Sequence, residues 1–108
     1  MEKIKIKALS VNVAWQGKRF KTRAYLAYEQ YLMYLLPRIE VPKWELSLFI
    51  RVWISKLSDI DNPLKPLLDI MQKKYDFNDK NIMLLQIEKV VVKKWEEFIQ
   101  FKFEKYPC

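Results

Sequence analysis

Residues 45 to 55 constrain the fold more than any other stretch of this chain. Leu46, Leu48, Ile50, Val52 and Ile54 alternate with Phe49, Arg51 and Trp53, so an extended segment carries an aliphatic face and a largely aromatic one. A strand apolar on both sides belongs inside a sheet, with both faces substantially covered. Such a strand needs neighbours, and 108 residues supply one core with little room for a second. Residues 1–108 are therefore read as a single domain. With 51% hydrophobic and 15% aromatic residues, the chain lies outside the disordered regime.

The partners of that strand follow from period and punctuation. Lys3 to Leu9 alternates charged and apolar side chains with period two, which predicts a half-buried first strand. Gly17, the only glycine, lies between Trp15 and the pair Lys18 and Arg19, in a turn or extended loop. Thr22 is suited to cap a helix running to about Leu36, where Pro37 biases its predecessor out of the helical region. Tyr25, Tyr28, Tyr31 and Tyr34 step by three and sweep around this helix. A second helix is expected from about Pro63 to Lys74, burying Leu64, Leu67, Leu68, Met71 and Tyr75 as one stripe. Two further strands, about Ile82 to Lys93 and Glu96 to Glu104, are separated by Lys94 and Trp95, a spacing suited to a two-residue hairpin. The expected class is α+β, a mixed four-stranded sheet with two helices in the order β-α-β-α-β-β.

The net charge of +7 is concentrated at one end, where residues 1 to 23 hold seven basic residues against Glu2 alone. Clustered cations favour a polyanion, because each one near a phosphate releases condensed counterions. Nucleic acid is the expected partner, with a solvated basic surface as the alternative. No apolar stretch approaches the ~20 residues that cross a bilayer, and no export signal is evident, so no membrane partner and a cytoplasmic location are expected. The single Cys108 rules out an intrachain disulfide or a cysteine metal cluster. The absence of histidine excludes Ser-His and Cys-His catalysis and histidine-bound zinc. No glycine-rich phosphate loop is present, so no nucleotide cofactor is expected.

The acidic residues divide by type. Asp59, Asp61, Asp69, Asp76 and Asp79 are the only aspartates, whereas all eight glutamates lie outside residues 59 to 79. Short side chains hold a carboxylate with little rotamer freedom, as a metal site requires, though aspartate is equally at home in turns and helix starts. Asp59 and Asp61, two apart at a strand end, point the same way and would repel unless a cation lay between them. Lys65, four residues after Asp61, lies one helical turn on. An EF-hand calcium loop is disfavoured, because Pro63 and Leu64 stand where that loop needs an oxygen ligand and a glycine. Mg²⁺, or Mn²⁺ in its place, fits better.

The run SDIDNPLKPLLDIMQKKYDFNDK resembles the signature of RusA-type Holliday-junction resolvases, DxDNxxK followed by an aspartate about eighteen residues on. Upstream, SVNVAWQGKRFKT is similar to the family's amino-terminal loop, and the expected element order agrees over nearly the whole chain. The resemblance implies that Asp59, Asp61 and Asp79 bind Mg²⁺ and that Lys65 contacts the scissile phosphate or the attacking water. Asp69 matches a further recurrent family aspartate. Many relatives carry two aspartates before the third strand, where this chain has Asn78 and Asp79. It also implies a homodimer of bacterial or phage origin acting on branched DNA, since paired symmetric cuts call for two equivalent sites.

On this reading Lys3, Lys5, Lys7, Asn12, Trp15, Lys18, Arg19, Lys21, Lys73, Lys74 and Lys80 face DNA, the cations gripping phosphates without reading sequence. Trp15, Phe20 and Trp53 are candidate junction wedges, with ordinary packing the favoured reading for each. The alternative is a non-catalytic or differently specific nucleic-acid-binding protein of the same fold.

Overall fold

The computed structural model describes residues 2–4, 15–16, 20–55 and 64–107. Its elements are β1 (Glu2–Ile4), β2 (Trp15–Gln16), β3 (Phe20–Lys21), α1 (Arg23–Leu35), β4 (Leu46–Ile54), α2 (Leu64–Tyr75), β5 (Ile82–Val91) and β6 (Phe98–Lys105). Short 3₁₀ turns at Asp79–Asn81 and Lys94–Glu96 precede β5 and β6. The class is α+β, with two helices among the described residues and a mixed sheet dominated by three long strands.

Local chemistry sets the ends of both helices. The Thr22 Oγ1 accepts the Tyr25 amide at 3.1 Å, one of the donors that a helix start leaves unpaired. At the other end Leu36 turns extended before Pro37, and its amide still reaches the Leu32 carbonyl at 2.8 Å. In α2, Pro66 stands in the first turn, where its missing N–H costs no hydrogen bond. Asp76 ends that helix at φ 53°, the left-handed conformation that aspartate tolerates better than most side chains.

β4 is central. It runs parallel to β5 on one side and antiparallel to β6 on the other, and β1 pairs antiparallel with the far edge of β6. Of the first strand expected over Lys3 to Leu9, the described part is Glu2–Ile4; residues 5 to 9 lie outside the described residues.

The expected hairpin between the last two strands is not formed. β5 and β6 flank β4 instead of pairing with each other. A two-residue hairpin needs positive φ at its turn, which Lys94 and Trp95 are ill suited to supply, and these residues form a 3₁₀ turn across the end of β4. Glu97 fixes the crossing: its buried carboxylate accepts both the Ser55 amide and the Ser55 hydroxyl at 3.1 Å. The Val92 amide reaches the Ile54 carbonyl at 2.9 Å, so the departing β5 is tied to the same strand end. A carboxylate only 8% exposed is tolerated because two donors replace its water.

Both helices cover one face of the sheet. Leu48, Ile50, Val52 and Ile54 of β4 meet Ile99 and Phe101 of β6, Tyr25, Tyr28 and Leu32 of α1, and Leu67, Ile70 and Met71 of α2 in one buried cluster. On the opposite face, which bears no helix among the described residues, neighbours within the sheet contribute to the coverage expected on both faces. Trp53 stacks on Phe98 with centroids 4.0 Å apart, Arg51 pairs with Glu88 at 2.6 Å, and Lys102 lies over the Phe49 ring at 5.0 Å. Trp53 thus packs on Phe98, half-buried on the face that bears no helix among the described residues.

Candidate active site

The chain leaves β4 at Ser55 and enters α2 at Leu64, with Asp59 and Asp61 in between; both aspartates lie outside the described residues. Lys65 occupies the first turn of α2, its side chain 62% exposed, with the ammonium 3.9 Å from Asp69. At spacing i, i+4 these two groups share one helix face, and Gln72 continues the row. The Gln72 side-chain oxygen accepts the Asp79 amide at 3.0 Å, which docks the start of the 3₁₀ turn against the end of α2.

A polar row therefore runs from Lys65 through Asp69 and Gln72 to Asp79. The structure brings Lys65 to Asp69 and Asp79 to Gln72. It does not bring Lys65 to Asp79, since the seven helical steps from Lys65 to Gln72 span ~10 Å of helix axis. No group of three metal-ligating side chains gathers among the described residues. The Asp79 carboxylate is exposed and has no ion pair among the described residues, so it keeps the oxygen that a hard, hydrated cation takes. Asn78 does a local task, its side-chain oxygen accepting the Lys80 amide at 3.0 Å to cap the 3₁₀ turn.

Compared with known proteins, the chain matches no family model and no curated protein.

The expected DNA-facing residues fall into three groups. Lys5, Lys7, Asn12, Lys18 and Arg19 lie outside the described residues. Lys3 sits on β1, while Trp15 and Lys21 face each other across the two-residue ladder of β2 and β3, all three described by backbone alone. Phe20 belongs to the same ladder. Lys73, Lys74 and Lys80 are described in full. The Lys73 ammonium pairs with Glu29 at 2.5 Å and the Lys74 ammonium donates to the Met33 carbonyl at 2.9 Å, so both tie α2 to α1. Lys80 is exposed.

This inter-helix seam has an electrostatic signature that the sequence did not suggest. Burial, followed by the carboxylates of Asp69 and Glu29, raises the Tyr25 phenol above its ordinary pKa, with Lys73 opposing. Tyr25 thus sits under the α1–α2 contact, close to the same Asp69 that faces Lys65. The described part of the chain contains no helix long and apolar enough to cross a membrane.

Proposed function

We propose that the chain is a Mg²⁺-dependent endodeoxyribonuclease that resolves four-way DNA junctions as a homodimer, by paired symmetric cuts. The carrying observation is the run from Ser58 to Lys80, where Asp59, Asp61, Lys65 and Asp79 stand at the spacing of RusA-type resolvases. The position of that run supports the reading. It leaves the carboxyl end of a strand whose neighbour is parallel, the region where α/β sheets collect binding groups.

In this proposal Asp59, Asp61 and Asp79 supply carboxylate oxygens to Mg²⁺ or Mn²⁺. A bound divalent ion lowers the pKa of water and stabilises charge on the phosphate. Lys65, exposed on the first turn of α2, offers its ammonium to the scissile phosphate, and Asp69 holds that side chain near the helix face. Lys3, Lys5, Lys7, Lys18, Arg19, Lys21 and Lys80 grip DNA arms, while Lys73 and Lys74 contribute chiefly by bracing the helices. The reading takes residues 1–108 as one RusA-like domain with a full first strand over Lys3 to Leu9, acting in a bacterial or phage-infected cytoplasm.

Asp61→Asn tests this directly. Junction cutting is expected to fall by at least about 10²-fold, the scale on which one electrostatic contributor to a transition state acts. Junction binding should hold or tighten, because one negative charge facing phosphate is removed. Loss of binding together with cutting would assign Asp61 a structural role. Junction binding by the unaltered protein, with no cutting in Mg²⁺ or Mn²⁺, would select the non-catalytic reading.

A further inference from the structure

We infer that the solvent face of α1 is the surface through which two copies of this chain pair, helix against helix about a two-fold axis. In a chain whose residues are 31% charged, twelve consecutive positions from Ala24 to Leu35 contain one charge, Glu29. That charge is turned inward onto Lys73. No exposed residue of this stretch is charged, yet Tyr31 is 65% and Tyr34 86% exposed. A surface helix ordinarily places charge outward, opposite its buried stripe. Here the buried stripe of Tyr25, Tyr28 and Leu32 is opposed by a second one whose single exposed charge, Arg23, stands at its amino end.

The second stripe has an order that selects its occupant. Ala24, Ala27, Tyr31 and Tyr34 recur at spacings of three, four and three, the pattern of a helix-pairing seam. Both alanines lie toward the amino end and both tyrosines toward the carboxyl end. An antiparallel copy would set Ala24 against the second Tyr34 and Ala27 against the second Tyr31, so each large ring meets a small residue. A shallow depression lined by Ala27, Gln30, Tyr31 and Tyr34 already exists to receive a ring. Only a two-fold arrangement makes this size pattern complementary to itself.

The exposed parts of the two tyrosines, Leu35 and the alanines come to roughly 500 Å² per copy, so pairing buries at most on the order of 1,000 Å², the size of a weak, concentration-dependent interface. Base stacking is the competing use of the tyrosines, and the size pattern rather than charge selects a second copy, because Arg23 and the Lys74 ammonium on the Met33 carbonyl both lie beside the stripe. The inference rests on α1 alone. It supplies the contact for the dimer that the nuclease proposal asks for, without depending on cutting.

The test is sedimentation equilibrium of the full chain, without DNA or metal, over concentrations from about 5 to about 200 µM, where mass action favours association. The mass should rise from 13.2 kDa toward twice that value. Tyr34→Glu should hold the protein at monomer mass with unchanged circular dichroism, since the side chain is almost fully exposed. In a Cys108→Ser background, Ala27→Cys mixed with Tyr31→Cys should yield the mixed disulfide dimer ahead of either like pair.

A monomer at every concentration would overturn the inference, as would a dimer indifferent to Tyr34→Glu, as expected of pairing through the β5 edge. Like-with-like crosslinks would overturn it as well. So would a Tyr34→Glu protein that keeps its mass but loses single-stranded oligonucleotide binding. A dimer that cuts nothing upholds α1 pairing and sinks only the nuclease proposal; a monomer that cuts does the reverse.

Discussion

α1 and α2 pack on the same face of the same sheet, yet they show solvent opposite chemistries. α2 buries Leu67, Ile70 and Met71 and carries Lys65, Asp69, Gln72 and Lys73 outside the core. α1 buries Tyr25, Tyr28 and Leu32 and, beyond Arg23 at its start and Gln30, offers solvent tyrosine, leucine, methionine and alanine. Burial explains the inner faces of both and the outer face of neither. The difference shows that the two outer faces are built for different neighbours; on the proposals above these are ions and phosphate for α2 and a second copy of the chain for α1.

The comparison is most severely tested at the inner faces, which are predicted to be equivalent. Leu67→Ala deletes a fully buried side chain beneath α2 and should cost about 2–5 kcal/mol of unfolding free energy, read by urea denaturation. A loss below 1 kcal/mol would mean that α2 is not seated as described. At the amino end of α1, Thr22→Ala removes the capping oxygen and should cost about 1 kcal/mol in the same measurement.

The seam between the helices gives the smallest effect, visible only in alkali. The Tyr25 pKa is raised in the folded protein, so the stability it adds is fully present below the unfolded phenol value and is lost as pH rises through the folded one. Stability should therefore fall more steeply above pH ~10 in the parent than in Tyr25→Phe, which has no proton to lose there. Parallel pH profiles for the two proteins would remove the electrostatic part of the seam.

Much of this fold is legible where local chemistry decides it. Thr22 and Pro37 mark the ends of α1 within a residue, and the alternation from Leu46 to Ile54 marks the central strand. The placement of β6 was not legible, because strand pairing is chosen by distant groups. The carboxylate of Glu97 on Ser55, forty-two residues away, holds β6 beside β4, and no periodicity near Lys94 reports it. Burial of Ile70 beside the expected Leu67 and Met71 has a similar origin, since α2 meets α1 as well as the sheet.

In the candidate site the Lys65–Asp69 contact follows from helical spacing. The docking of Asp79 on Gln72 depends on how the chain turns after Asp76, which spacing alone does not encode. Asp59 and Asp61, the pair on which the proposed chemistry turns, are read from the motif and lie outside the described residues.

Cleavage of a synthetic four-way junction is the most direct test of that chemistry. The protein would be incubated with the junction, a linear duplex of the same sequence and a structured RNA, each with Mg²⁺ or with chelator, and the products mapped at nucleotide resolution. Paired, symmetric nicks in the junction alone, and only with the metal, are predicted. No cleavage by folded, dimeric protein across a range of Mg²⁺ and Mn²⁺ concentrations would contradict the proposed function.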